Sequence, residues 1–271
     1  MTTFETLEIS VVERIGNIII AREQSLNAFN RQFFDDLLHA CEMMQMDKNV
    51  RAIVLSGKGS NFSVGLDLKD QKFRDAVAAM SATETSRRIY REVKQLQRSI
   101  SSLASVGVPT IACISGYCIG AGLDLAAACD MRIVSEDASF SLREVRIAMV
   151  ADLGSLQRLS KIISRGHLFE LALTGVDFSA GRAFELGLAN KVCSTKESAL
   201  MHATELAGTI ASNSTLAVQG TKEVLRTMYD ADLERDLDRV ALWNAAFLGS
   251  HDFNEATLSF LEHRNPKFNG T

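Results

Sequence analysis

Cys118-Ile119-Gly120-Ala121-Gly122-Leu123-Asp124-Leu125-Ala126-Ala127-Ala128 runs from an apolar strand end, through a Gly-Ala-Gly junction, into a helix of small apolar residues carrying one acid. Upstream, Pro109 introduces the short apolar strand Ile111 to Ile114, and downstream, strands are predicted near Arg132 to Val134 and Ser139 to Leu142. The same alternation precedes it. Leu7, Ile9 and Val11 alternate with polar residues and pair, across a turn read at Gly16-Asn17, with Ile18 to Ile20 as a hairpin. Asn30 caps a helix whose Phe33, Phe34, Leu37, Leu38, Cys41 and Met44 recur at helical spacing and lead to the buried-strand pattern Ala52 to Leu55. Two helical stretches follow, near 68 to 79 and 84 to 104. Short strands feeding helices predict an α/β fold with right-handed crossovers. From about residue 196 only helical patterns remain, over 196 to 211, 215 to 228, 231 to 247 and 252 to 263, with Pro266 closing the last.

Three acids stand among apolar or small neighbours: Asp124 in that helix, Glu144 after Phe140-Ser141-Leu142-Arg143, and Asp152 at the end of Ile147-Ala148-Met149-Val150-Ala151. Carboxylates are seldom buried without a partner, because removing water from a charge is costly or displaces the pKa. The three therefore read as proton-transfer groups lining a closed pocket. Structural alternatives stay open: Asp124 as a cap or a partner of Arg143, Glu144 as a partner of Arg143 or Arg146, and Asp152 as the N-cap of a helix beginning near Gly154-Ser155. Two loops, Phe62-Ser63-Val64-Gly65-Leu66-Asp67-Leu68 and Ile119-Gly120-Ala121-Gly122, place small residues at strand-to-helix junctions, where first-turn amides lack partners and can face an anion. Read singly, each is also compatible with an ordinary helix start.

At 271 residues and 46% apolar composition the chain can bury a full core, and a net charge of −4 supplies no field for gathering polyanions such as nucleic acid. One basic helix, with Arg87, Arg88, Arg91, Lys94 and Arg98, is the local exception and a candidate for phosphate contact. The five cysteines lack zinc or disulfide spacing, and the five histidines show no ligand pairs, so no metal is expected. Dinucleotide fingerprints, phosphate loops, metalloprotease helices and nucleophile elbows are absent. No apolar run reaches the ~18 residues of a membrane span. Met1 to Ser10 show no targeting block, and the C-terminus is not the peroxisomal tripeptide, which leads to the expectation of an intracellular protein, cytoplasmic or, in a eukaryote, mitochondrial or peroxisomal.

Taken together, Leu26-Asn27-Ala28, Gly65-Leu66-Asp67-Leu68, Pro109-Thr110-Ile111-Ala112, Gly120 to Leu125, Cys129-Asp130, Gln157-Arg158-Leu159, Leu173-Thr174-Gly175 and Phe260-Leu261-Glu262-His263-Arg264 resemble the crotonase, or enoyl-CoA hydratase and isomerase, superfamily over nearly the whole chain. The resemblance implies a crotonase-like spiral of strand-helix turns over 1–195, holding an acyl-CoA site, and a C-terminal helical trimerisation region over 196–271. It implies assembly as a homotrimer or a dimer of trimers, and no cofactor, since coenzyme A belongs to the substrate. The amides of Leu66 and Ala121 would form an oxyanion hole, with Val64, Gly65, Asp67, Gly120 and Lys267 as further substrate contacts. Ala121 departs from the Gly of most relatives, narrowing the pocket while keeping the amide.

Within the superfamily the acids point to the reaction. Hydratases resemble this chain at Glu144 but carry Glu in place of Asp124 and Gly in place of Asp152, whereas the trio Asp124, Glu144 and Asp152 is similar to Δ3,5-Δ2,4-dienoyl-CoA isomerases of fatty-acid β-oxidation. The resemblance assigns an ionised Glu144 as base at C2, a protonated Asp152 as acid at C6, and Asp124 as the group adjusting their charge. A 2-enoyl-CoA hydratase and an inactive crotonase-fold binding protein, such as an RNA-associated one, are the alternatives.

Overall fold

The computed structural model describes residues 2–70 and 82–269. The helix expected near 68 to 79 falls largely outside them. A seven-stranded sheet has the order β1-β2-β3-β4-β5-β7-β10, built from Thr2–Thr3, Leu7–Val12, Ile15–Ile20, Ala52–Gly57, Thr110–Ile114, Met131–Ser135 and Lys191–Cys193. Strands β3, β4, β5, β7 and β10 are parallel, and the β1-β2-β3 edge is antiparallel. Strand β6 (Tyr117–Ile119) leaves this sheet for a smaller one with β8 (Ser139–Ser141) and β9 (Phe178–Ser179). That departure sends the chain after β5 out over the sheet's end, where the second loop turns.

The first hairpin differs from its sequence reading. Val12 pairs with Ile15, so the turn is Glu13-Arg14, both at positive φ, and Gly16-Asn17 lies within β3. Gly16 is needed there for close packing rather than for turning: a Cβ at this position would lie 2.7 Å from the Met44 sulfur of the first helix.

Both faces of the parallel sheet are covered, as its nearly continuous apolar strands require. Ile53 and Leu55 face α1 (Arg31–Met46) and α2 (Ala82–Ser105), while Ala52 and Val54 face α7 (Lys196–Ser212). Asn30 caps α1 by accepting the Phe33 N–H, as expected. Helix α7 approaches through a stripe of Ala199, Ala203, Ala207 and Ala211, whose i, i+4 spacing puts four methyls on one side. The first of the C-terminal helices thus lies on the sheet.

In the chain between α2 and α7 come α3 (Ala121–Ala128), wholly buried, then α4 (Ser155–Leu159), α5 (Arg165–Thr174) and α6 (Ala180–Glu185). The remaining helices are α8 (Thr215–Asp230), α9 (Leu233–Phe247) and α10 (His251–Leu261). Helix α9 packs along α2 through Ala241, Ala245 and Leu248 against Ile89 and Val93. The five cysteines are free and buried.

Candidate active site

The two glycine-containing loops lie side by side. Ser63 N–H donates to Tyr117 O (2.8 Å) and Ile119 N–H to Ser63 O (3.0 Å), a parallel bridge from Ser63 to Cys118. Counting forward in that register sets Leu66 abreast of Ala121. Gly65, at φ +92°, sits at the closest approach, where a Cβ would lie 2.8 Å from Ile119 O and 3.3 Å from Ala121 N.

Both candidate amides are left available by the backbone pattern. Ala121 opens α3, so its N–H has no partner within the helix. On the other loop, Phe29 N–H donates to Gly65 O (2.7 Å) and Asp67 N–H donates to Phe29 O (2.9 Å). This parallel pairing uses the groups on either side of Leu66 and turns the Leu66 N–H away from Phe29, towards the second loop.

The three acids converge on the same region from different elements. Asp124, on the first turn of α3, is 1% exposed and accepts the Ser155 N–H at the start of α4. Glu144 begins a 3₁₀ turn, Glu144–Ile147, that follows β8. Its carboxylate leans over Gly120, where a Cβ would be 3.3 Å from Glu144 Oε1. Although the residue as a whole is half-buried, Glu144 Oε2 is sealed from solvent and finds no hydrogen-bond partner among the described residues.

Asp152 is buried and gripped from two sides. Asn244 on α9 donates through Nδ2 to Asp152 Oδ2 (2.7 Å) and to Val150 O (2.8 Å), while its Oδ1 accepts the Val150 N–H (3.2 Å). Gln97 on α2 donates through Nε2 to Asp152 O (2.7 Å) and Leu237 O (2.9 Å), so α2 and α9 jointly hold the Asp152 loop.

Burial raises the pKa of all three carboxyls, and their mutual charge adds to it for Glu144 and Asp152. Asp124 is pulled back by Ser155 and by the Arg158 guanidinium. Asp152 rises to about 7 because burial outweighs the Asn244 bond, with the charge of Asp124 adding to the rise. Glu144 is pushed up by burial first and then by Asp124 and Asp152, with no side-chain donor to offset it. Both carboxyls are thus held well above the usual carboxylate range. Asn244 stabilises the anion of Asp152, and no side chain among the described residues does so for Glu144.

Of the structural alternatives for these acids, the folded chain shows one, Asp124 capping the start of α4 through the Ser155 N–H. Arg143 pairs with Asp177, and no ion pair joins Glu144 to Arg143 or Arg146 among the described residues. Gly154 is the N-cap of α4, and the acid bonded to that helix start is Asp124 rather than Asp152.

Gly65, Leu66, Gly120 and Ala121, with Val64 beside them, meet at the loop pair. Asp67 follows in the chain, but its carboxylate turns to Arg22, at 3.1 Å. Lys267 lies exposed in the tail, its N–H held by Glu255, and no described contact brings it to either loop. Asn244 and Gln97 escaped the sequence reading because nothing local marks an amide on a helix face as the partner of a distant acid.

A family description of enoyl-CoA hydratase/isomerase matches residues 11–271. The chain is 39% identical to a peroxisomal Delta(3,5)-Delta(2,4)-dienoyl-CoA isomerase of Arabidopsis thaliana, over 99% of this chain and 98% of that protein. It is 37% identical to a mitochondrial protein of the same name from Dictyostelium discoideum, over 94% and 87% of the respective chains. Among solved structures, an enoyl-CoA hydratase/isomerase from Pseudoalteromonas atlantica superposes with a TM-score of 0.84 at 25% identity, covering 98% of this chain and all of the other. Together with the paired loops and buried acids, these likenesses establish that the chain belongs to the enoyl-CoA hydratase/isomerase family.

Proposed function

We propose that this protein is a Δ3,5-Δ2,4-dienoyl-CoA isomerase acting in fatty-acid β-oxidation. The single observation that carries the reading is the third buried acid, Asp152, held by Asn244 within reach of the charges on Asp124 and Glu144. One acid suffices to exchange a proton beside a thioester. Two separated acids are required when one proton leaves C2 and another arrives at C6.

In the forward direction Glu144 takes the C2 proton of a 3,5-dienoyl thioester. The electron pair spreads through the conjugated chain, the thioester oxygen becomes an enolate, and the Leu66 and Ala121 amides donate to it, each contributing ~3 kcal/mol of barrier lowering. Asp152 delivers a proton to C6, and the 2,4-dienoyl thioester results. One turnover leaves Glu144 protonated and Asp152 ionised, so Glu144 has to lose a proton and Asp152 regain one before the next cycle. The charge of Asp124 raises the pKa of both partners.

No cofactor enters this scheme, and coenzyme A is carried by the substrate. The exposed apolar residues Leu216, Val224, Leu225, Met228 and Tyr229 on α8 support assembly through this helix, as a homotrimer or a dimer of trimers. No described helix is long and apolar enough to cross a membrane. Mitochondrial or peroxisomal residence is supported by the names of the two relatives.

The test is a paired assay. Growth of 2,4-dienoyl absorbance from a 3,5-dienoyl-CoA, with little hydration of crotonyl-CoA, is the expected result. Rapid crotonyl-CoA hydration without dienoyl formation would instead make this a 2-enoyl-CoA hydratase.

A further inference from the structure

The first oxyanion loop is not self-supporting. It is fastened to the turn formed by residues 22 to 29, which contains no acid or base of the proposed mechanism. Asn27, fully buried and at φ +57°, donates through Nδ2 to Lys58 O (2.9 Å) and Asn61 O (2.7 Å), and its own carbonyl accepts the Ser63 hydroxyl (2.7 Å). Ser63 Oγ in turn accepts the Gly65 N–H (3.1 Å). Arg22 completes the fastening on the far side of Leu66. Its N–H donates to Asn27 Oδ1 (2.9 Å), Nη1 donates to Ala28 O, and Nη2 donates to Asp67 Oδ2 at 3.1 Å.

We propose that Arg22 is a positioning residue that sets the direction of the Leu66 amide. Its fork joins Ala28 to Asp67, the neighbours of the bridged pair Phe29 and Leu66, so both strands of that bridge are held at fixed spacing. Asp67, whose carboxylate answers Arg22, takes part in the site through this clamp rather than by touching substrate. A planar guanidinium can span two acceptors with fixed geometry, which a lysine ammonium cannot. The proposal rests on the reading of Leu66 as an oxyanion donor.

The test measures kcat and KM for a 3,5-dienoyl-CoA and, by isotope-edited infrared spectroscopy, the thioester C=O stretch of a bound 2,4-dienoyl-CoA. Wild type is expected to shift that band to lower wavenumber on binding. Arg22→Met should move the band back towards its free position and lower kcat about tenfold or more, with KM within about twofold, because misdirected donors forfeit much of a preorganised contribution. Arg22→Lys should fall between. Should Arg22→Met fail to fold, Asp67→Asn probes the same contact with an uncharged isostere, and the double variant should be no worse than the poorer single one. Folded Arg22→Met or Asp67→Asn protein that keeps both the band position and kcat overturns the proposal. An unshifted band in wild type would instead sink the oxyanion reading of Leu66, and this inference with it.

Discussion

Gly65 and Ala121 reach their places through bonds between short stretches of chain, whereas Asp124, Glu144 and Asp152 come from three separate elements and lean on side chains from two more, Gln97 on α2 and Asn244 on α9. The amide side is knit together almost completely: Ser63, Asn27, Arg22 and Asp67 each find partners. Among the described residues the carboxylate side keeps buried polar atoms without them, including Glu144 Oε2 and Gln97 Oε1. Such atoms oppose folding unless a bound group satisfies them. The loop pair is held mainly by its own hydrogen bonds, the acids mainly by burial.

That contrast breaks first if the acids are dispensable. Asp152→Asn should lower dienoyl isomerisation by ~10²-fold or more while acyl-CoA affinity stays nearly intact, as measured by initial rates and by calorimetric titration with a 2,4-dienoyl-CoA. Glu144→Gln should show the same split. Unchanged turnover in either would remove that residue from the proton path.

A smaller effect is expected on the amide side. Gly65→Ala puts a side chain at φ +92° and 2.8 Å from Ile119 O, so the two loops must part. Strain of about 1–3 kcal/mol should appear as a lowered melting temperature, together with reduced kcat. A variant that melts and turns over as wild type would show that the loops need no such close approach.

Asn244→Leu sharpens the comparison further. Its amide lowers the pKa of Asp152. Removing it takes away the larger of the two hydrogen bonds that oppose burial, so the alkaline limb of the kcat profile, where Asp152 loses its proton, should move to higher pH. A profile that scales down without moving would mean that Asn244 only packs.

The subtlest consequence concerns stability. Asp152 titrates near 7 in the fold against an ordinary value of 3.8, so its protonated form favours the native state. That contribution is complete below the unfolded pKa and is lost as pH rises through 7. Asp152→Asn cannot ionise, and its melting temperature relative to wild type should therefore climb by a few degrees between pH 4 and pH 8. Parallel melting curves across that range would contradict the burial of this carboxyl.

The α/β alternation, the capped first helix, the two loops and all three acids were legible because each is written locally, as an apolar period, a cap or an acid among small residues. Gly16 was misread as part of a turn, since a glycine chosen for close packing looks the same in sequence as one chosen for its dihedral angles. The helix boundaries after residue 196 were visible, yet not that α7 would cover the sheet while α9 would deliver Asn244 to an acid 92 residues away. A helix pattern shows which face is apolar and not what that face will meet.

The amino-acid sequence by itself determined the class of fold, the family and the residue types available for proton transfer, because these depend on short-range pattern and composition. Only the tertiary structure decided which carboxyl receives a hydrogen bond, which remains without one, and that Arg22 and Asp67 brace the Leu66 loop. Those features depend on distances between segments far apart in the chain, and desolvation acts on a group only once its neighbours have closed around it.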